Sequence, residues 1–362
     1  MKKFLSVIIV CMLLLVFASC GEKKETEVQY YETFHNVSPT REGVFYCSPD
    51  DDLLHMRTVD TSEDIIMCYD PNCAHEPASA DNLDPTCKAT LFLEGQTHVV
   101  CYDGYLYYFN MVGLRETNIY KMEVGGSGRT HIATIPYRAN PTQAVTIYND
   151  KMYFIVFEIS EPDSNGKLEQ KQYIMEYDLT SNEYRLASNN IENDIFYIQL
   201  TKEYIYLKGN NSNGDMLAKR IDKETLEEAI FITSEEYKTC RMCRAYDDYY
   251  IYYDGFGIVG MRYLDGREDR ILIDSDEKIV PTVSGNVVFY HKAKEEEVFY
   301  SVVGGCYYDI LTGETIDISE KVMELDIIAY DDYNEVFLCN GLYNTSAMSK
   351  DAILASGTRI SE

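Results

Sequence analysis

Short stretches that alternate apolar and polar residues recur along the chain, and one kind of stretch returns seven times. In residues 102–108 a turn of Tyr-Asp-Gly leads into a strand of Tyr-Leu-Tyr-Tyr. Segments of the same shape begin at residues 40, 148, 200, 246, 283 and 330. From residue 102 onward the starting positions are 46, 52, 46, 37 and 47 residues apart, close to the roughly 40–50 residues of one propeller blade. The pattern therefore predicts a repeated β unit.

A second turn signal follows many of the copies. An apolar strand ends at Asp and turn residues in segments 59–62, 177–182, 221–225, 264–266 and 308–313. Asp bonds to its own backbone and Gly or Asn accepts positive φ, so these segments are hairpin tips. Another short apolar strand comes after each tip. With the strand that leads into the first turn, each unit has four strands.

Units of this kind bury their faces only by stacking on one another. We therefore predict an all-β fold, a β-propeller with seven four-stranded blades over residues 35–362. Six blades, an open array or a β-sandwich are the alternatives, but a sandwich does not require seven copies at near-constant spacing.

The first nineteen residues have the pattern of a secretory signal. Lys2 and Lys3 precede an apolar run over 4–17, which is short for a bilayer span, and small residues follow it. Residues 17–20, Phe-Ala-Ser-Cys, resemble the lipobox of bacterial lipoproteins, in which the cysteine is lipidated and becomes the new N-terminus. The resemblance implies a signal peptide over 1–19, lipid on Cys20 and a flexible tether over 20–34. Secretion with cleavage nearby and an uncleaved anchor are the alternatives.

The repeated aromatic turns and the leader together resemble a known group of proteins. Turns of the form Tyr-x-Gly-x-Leu-Tyr-Tyr, as in 102–108, are similar to those of uncharacterised bacterial cell-surface lipoproteins with a low-density-lipoprotein-receptor-like propeller. This resemblance covers nearly the whole mature chain. Together with the lipobox it implies a protein anchored to the cell membrane by lipid and facing the extracytoplasmic side. That a propeller face binds a protein or glycan is our own expectation for such a protein, not part of the resemblance.

One segment between the first two copies differs from the repeats. The interval from residue 40 to residue 102 is about 16 residues longer than the others, and the excess lies at a cysteine-rich insert over 68–87. Two Asp-Pro-x-Cys turns, at 70–73 and 84–87, each present a cysteine on a tight corner.

The insert carries the ligand types of a metal site. Cys68, Cys73, His75 and Cys87 supply three sulfurs and one imidazole, a complete tetrahedral set for a structural Zn²⁺. A disulfide among the same cysteines is the competing interpretation, since a secreted protein meets oxidising conditions. Free thiols, or a mixture of free and bonded thiols, are the third interpretation.

The net charge of the chain argues against one class of partner, nucleic acid. The chain of 362 residues has 32 Lys and Arg against 60 Asp and Glu, a net charge of −28, which repels phosphate backbones and makes nucleic acid an unsuitable partner. Its 32 Tyr, with 14 Phe and no Trp, suit half-buried strands.

No catalytic motif emerges from the sequence, so two function classes remain. The first is a non-catalytic surface lipoprotein whose propeller is a binding or scaffold module. The second is a propeller enzyme acting on extracellular polysaccharide, which needs two acids that converge on the axis. We expect the first, without assigning catalytic residues.

Overall fold

Each repeated aromatic segment lies in one small antiparallel sheet, and seven such sheets form the blades of a β-propeller. The computed structural model describes residues 31–32, 37–48, 50–79, 81–82, 86–90, 97–124, 129–162, 166–191, 194–295, 300–339 and 346–360. The prediction of an all-β fold with seven blades is confirmed.

The blades follow one another in chain order, and the first strand of each is nearest the axis. A short strand, β1 (Tyr31–Glu32), precedes them. The first blade is β2 (Val37–Pro39), β3 (Gly43–Cys47), β4 (Leu54–Thr58) and β5 (Asp64–Ile66). The second is β6 (Thr97–Tyr102), β7 (Tyr105–Val112), β8 (Glu116–Glu123) and β9 (Thr130–Ile135). The third is β10 (Arg138–Tyr148), β11 (Lys151–Ile159), β12 (Gln170–Asp178) and β13 (Tyr184–Leu186).

The remaining blades repeat this order. The fourth is β14 (Asp194–Leu200), β15 (Tyr204–Asn210), β16 (Met216–Asp222) and β17 (Glu228–Ile232). The fifth is β18 (Arg241–Ala245), β19 (Tyr249–Tyr253), β20 (Ile258–Tyr263) and β21 (Arg270–Asp274). The sixth is β22 (Ile279–Ser284), β23 (Val287–Glu295), β24 (Tyr300–Asp309) and β25 (Thr315–Asp317). The seventh is β26 (Ile327–Asp331), β27 (Val336–Cys339) and β28 (Ser346–Ser349). β29 (Thr358–Ile360) is the last described strand.

Two blades receive a fifth strand from a distant part of the chain. β1 pairs with β10 of the third blade, with Tyr31 opposite Ile147. β29 pairs with β25 of the sixth blade, with Ile360 opposite Thr315. Within the described residues the seventh blade has three strands, because the chain after β28 returns to the sixth blade.

Each blade buries both of its faces against neighbours. On β11, Phe154 packs edge-on against Phe109 of the second blade, with ring centroids 5.0 Å apart. The next residue, Ile155, lies in the apolar cluster that contains Ile198 of the fourth blade. The middle of such a strand is therefore apolar at consecutive positions, as in sheets that are covered on both sides.

The same backbone hydrogen bond fixes the end of every blade. The turn joining the first and second strands, here called the inner turn, lies beside the residue that follows the third strand. That residue donates its N–H to a carbonyl of the inner turn at 2.8–3.1 Å. The pairs are Val59 with Glu42, Val124 with Gly104, Leu179 with Asp150, Lys223 with Glu203, Leu264 with Asp248, Ile310 with Asn286, and Lys350 with Glu335.

The predicted Asp hairpin tips are present at the same end of the blades. In three blades an Asp carboxylate accepts the N–H groups two and three residues further on, at 2.8–2.9 Å. The residue four positions after each Asp has a left-handed backbone, as tight tips require. These residues are Asn182, Leu226 and Gly313, with φ of 59°, 61° and 75°.

Polar side chains on the inner strands connect neighbouring blades. Each is buried and bonds to the backbone of the next inner strand, so it satisfies groups that the blade itself leaves unpaired. The bonds are Ser38 Oγ from Cys101 N (2.7 Å), Thr146 Oγ1 to Ile198 O (3.2 Å), Gln199 Oε1 from Ala245 N (2.7 Å), and Arg244 to Val283 O (3.4 Å).

The ring closes where the seventh blade packs on the first, an interface called the seam below. Val44 and Tyr46 share one buried cluster with Val336 and Leu338. Asn334 Nδ2 also donates to the carbonyl of Pro39 at 3.0 Å across the seam. Between the described strands of these two blades there is no pairing, so side chains and turns hold this part of the seam together.

Helices are few and short in the described parts of the chain. They are α1 (Ser234–Tyr237), α2 (Ser319–Leu325) and α3 (Lys350–Leu354). Among the residues that the structure describes, no helix combines the length and apolar character needed to cross a bilayer.

Candidate metal centre

The cysteine-rich insert lies on the link between the first and second blades. It leaves β5 at Ile66 and is fastened to β4 on both sides. Met67 N donates to Leu54 O at 2.9 Å, and Leu54 N donates to Ala89 O at 2.8 Å. The two ends of the insert are therefore held by one strand of the first blade.

The four residues that the sequence predicts as ligands come together. The ligand atoms of Cys68, Cys73, His75 and Cys87 all lie within 4.8 Å of one another. Cys87 Sγ is 3.8 Å from His75 Nδ1. Cys68 and Cys87 are buried, whereas the other two are half-buried, so the cluster lies just beneath the surface.

Local turn chemistry presents the cysteines. Cys73 N donates to Asp70 O at 3.1 Å, and the Asp70 carboxylate accepts the N–H of Asn72 at 2.9 Å. The turn predicted at 70–73 is thus confirmed. The second predicted turn includes residues 84 and 85, which lie outside the described residues.

For each of the three cysteines, the residue two positions later in the chain points its backbone N–H at the sulfur. His75 N lies 3.4 Å from Cys73 Sγ. The N–H groups of Asp70 and Ala89 bond to the sulfurs of Cys68 and Cys87 in the same way. Donors of this kind stabilise thiolates, the form in which cysteine binds metals.

The two buried sulfurs differ in their acidity. Burial raises the pKa of Cys68, but the N–H groups of Asp70 and Lys88 outweigh it and bring the pKa below the usual value. At Cys87 burial dominates and raises the pKa to about 11.

The size of the cluster fits zinc. With Zn–S and Zn–N bonds of about 2.0–2.3 Å, the ligands of a tetrahedral ion lie roughly 3.5–3.8 Å apart. The Cys87 to His75 distance already has this value, and the 4.8 Å envelope requires side-chain shifts of about 1 Å for the others. Three thiolates and an imidazole favour zinc over manganese or calcium, which prefer oxygen ligands.

Every cysteine among the described residues is a free thiol, including the three of the cluster. The predicted lipidation site, Cys20, and the predicted signal peptide over 1–19 lie outside the described residues. Tyr31 and Glu32, which fall within the predicted tether, form β1.

Sequence reasoning missed a second polar cluster in the first blade. His55 Nε2 lies 3.0 Å from Asp51, and its Nδ1 lies 3.0 Å from Asp64. Asp64 also accepts the hydroxyl of Tyr46 at 2.8 Å. The four-residue spacing of Asp51 and His55 is visible in the sequence, but Asp64 arrives by strand pairing. These bonds use both ring nitrogens, and the cluster joins β3, β4 and β5.

Comparison with solved structures supports the fold. An oligogalacturonate lyase from Vibrio parahaemolyticus has a TM-score of 0.50 at 7% identity, over 90% of this chain and 92% of that one. An oligogalacturonate lyase in complex with manganese has a TM-score of 0.49 at 10% identity, over 89% of each chain. TolB from Acinetobacter baumannii has a TM-score of 0.36 at 11% identity, over 78% of this chain and 62% of that one.

At 7% identity, the similarity to the Vibrio structure supports the fold alone. No family model and no curated protein matches the sequence. The chain is therefore a seven-bladed β-propeller whose fold is similar to that of the Vibrio structure.

Proposed function

We propose that this protein is a lipid-anchored, extracytoplasmic propeller that binds or holds a partner, and that a zinc ion clasps the link between its first two blades. The observation that carries the proposal is the closed set of four ligands at Cys68, Cys73, His75 and Cys87. Because four protein ligands leave no position for water or substrate, a zinc ion there is structural.

A structural ion suits a scaffold outside the cytoplasm. Free thiols oxidise readily in that compartment, whereas thiolates bound to zinc are protected within the coordination shell. The clasp also fixes an insert that covers apolar residues of two blades, among them Phe45 and Tyr108. The ion would thus stabilise the first two blades as one unit.

The N-terminal sequence supports the anchoring part of the proposal. Residues 17–20 resemble the pattern around a lipidated cysteine, with Phe17 where Leu is usual, and a lipid on Cys20 would hold the propeller at the membrane surface. We assign the protein to the extracytoplasmic side on this basis.

The zinc part is tested on the full chain, expressed with its leader and purified in detergent without added metal. We expect about one zinc per chain by elemental analysis, and less metal in the Cys87→Ser variant. Cys101→Ser is the matched control, because Cys101 is a buried thiol in the same apolar cluster but not a ligand. A disulfide in the insert, or no metal and three reactive thiols, contradicts the clasp.

The anchoring part has its own readout. The wild-type protein should partition into detergent, and its N-terminal peptide should carry lipid on Cys20, whereas Cys20→Ser should remain aqueous. An unmodified N-terminus at another residue overturns this part. Incubation with neutral and acidic polysaccharides, followed by product analysis, tests the non-catalytic role, because released oligosaccharides would instead favour the enzyme.

A further inference from the structure

A cleft opens at the seam, on the end of the ring that carries the inner turns. Its volume is about 590 Å³, and it is bordered by the inner turns of the seventh, first and second blades. Clefts of roughly 300–1,000 Å³ are the usual size of small-ligand sites. Nothing in the described metal cluster extends to this cleft, so the two sites are separate.

The floor and walls of the cleft are apolar and aromatic. Phe45, which is 1% exposed, and the buried Cys101 lie at the bottom. Tyr102 and Tyr333 line the walls and are both half-buried. The hydroxyl of Tyr102 donates to Asp150 at 3.2 Å, which fixes the direction of that ring.

The second wall is fixed by a buried network in the seventh inner turn. The Asp331 carboxylate accepts Asn334 Nδ2 at 2.7 Å and the N–H of Tyr333 at 3.1 Å. Asn334 Nδ2 also donates to Pro39 O across the seam. The cleft is therefore built on a preformed turn, which lowers the ordering cost of binding.

The charges at the rim of the cleft restrict the charge that a ligand can carry. Glu42 and Asp103 place two exposed carboxylates in the lining, and among the described lining residues Arg41 is the one cation. Arg41 already pairs with Glu335 at 3.6 Å. A site with this excess of carboxylates, on a chain of net charge −28, repels polyanions such as uronic acid polymers.

A suitable ligand must offer hydroxyl or amide donors to the carboxylates and an apolar face to the tyrosines. Neutral sugars combine both, because each ring has equatorial hydroxyls at its edge and C–H groups on its faces. Tyrosine supplies a flat apolar surface with a polar end for such contacts.

We propose that this seam cleft binds a neutral oligosaccharide. The inference rests on the proposed function as a binding module and names its site and ligand class. Since the bound sugar would contact turns on both sides of the seam, its binding would also stabilise the closed ring.

Isothermal titration of the purified full chain tests the inference with four neutral pentasaccharides: those of maltose, cellulose, mannan and chitin type. Galacturonate and glucosamine pentamers are the anionic and cationic probes. We expect a neutral pentamer to bind and to raise the melting temperature, and the galacturonate pentamer not to bind. Binding of no neutral probe overturns the proposal, as does binding of the glucosamine pentamer alone.

Variants locate the site. Tyr333→Ala and Asp103→Asn should each weaken binding about tenfold, because one removes a stacking surface and the other a charged acceptor. Tyr333→Phe, which keeps the ring, should bind nearly as well as wild type. Asp248→Asn is the matched control, since Asp248 is an exposed carboxylate on the inner turn of the fifth blade, outside the cleft.

The melting temperature of each variant without sugar confirms that it is folded. Equal binding by wild type, Tyr333→Ala and Asp103→Asn would place any sugar elsewhere and overturn the site. Zinc content and lipid on Cys20 are measured on the same preparations. Their presence without sugar binding refutes only this inference, whereas their absence with sugar binding refutes the clasp and the anchor.

Discussion

Ser349 donates both its backbone N–H and its hydroxyl to the carboxylate of Asp60, which lies 289 positions earlier in the chain. The two bonds are 2.8 and 2.9 Å long and cross the seam between the seventh and first blades. Asp60 N also donates to Ala347 O at 2.9 Å. This exposed aspartate therefore connects the two ends of the propeller.

Replacing Asp60 by Ala should weaken the seam. The change removes both acceptors and places Ala at a φ of 65°, so we expect a loss of about 2 kcal/mol in the free energy of unfolding. Asp52→Ala is the control, because Asp52 is exposed in the same blade with a φ of 54° and shares only the backbone cost. Urea unfolding measures both, and equal losses would show that the contact with Ser349 contributes nothing.

Leu226 occupies a left-handed position that two other tips fill with Asn182 and Gly313. Because a leucine at a φ of 61° is strained, Leu226→Asn should stabilise the protein by about 1 kcal/mol. Gly313→Leu should destabilise it by a similar amount. Thermal and urea unfolding of the pair are the measurement. A Leu226→Asn variant less stable than wild type would contradict the equivalence of the tips.

The Asp331 carboxylate makes stability depend on pH. Burial raises its pKa from 3.8 to about 6, so the folded state holds a proton that the unfolded chain has released. The contribution of the Asp331 carboxyl to the free energy of unfolding is present below pH 4 and is lost as the pH rises towards 6. Asp331→Asn does not titrate, and relative to wild type it should gain about 2 kcal/mol between pH 4 and pH 7.

Melting curves of wild type and Asp331→Asn at the two pH values test this difference. Metal loss in acid affects both proteins equally and cancels in the comparison. A constant difference between them across the range would mean that Asp331 keeps an ordinary pKa.

Glu176 shows the opposite dependence. Burial raises its pKa, but hydrogen bonds from Arg185, Lys151 and Tyr153 outweigh it and bring the pKa down to about 2. Its contribution is therefore present above pH 4.5 and is lost as the pH falls towards 2. Since both cations are partly exposed, we expect Glu176→Gln to cost about 2 kcal/mol at pH 7.

Glu158→Gln is the matched control for Glu176→Gln. Glu158 pairs with Lys171 at 4.0 Å, and both side chains are about half exposed. Its removal should change the urea midpoint little at pH 7. Similar effects of the two substitutions would show that burial of Glu176 adds nothing to its ion pairs.

The blade count and the turns follow from local sequence. The segment at 102–108 and its six relatives predict the inner turns, because aromatic strands separated by short turns of polar residues have strong local signals. The ligand set at 68–87 is likewise local, so its convergence is predictable from spacing.

The contacts that join neighbouring blades have no comparable signal in the local sequence. Ser38 and Gln199 are single polar residues within apolar strands, and their partners lie 63 and 46 positions away. β1 and β29 are two and three residues long, so their pairing depends on where the rest of the chain has already folded. Tyr333 and Asn334 lie in the one repeat with an extra residue, a sign in the sequence that this turn differs.

The order of the blades has a consequence for how the chain folds as it is synthesised. Each blade is assembled mainly from consecutive strands, so its contacts are local and can form as soon as those strands have emerged. The bonds from Ser349 to Asp60, by contrast, must wait for nearly the whole chain. We therefore expect the early blades to accumulate as a partly assembled arc, and docking of the seventh blade on the first to be the last and slowest step.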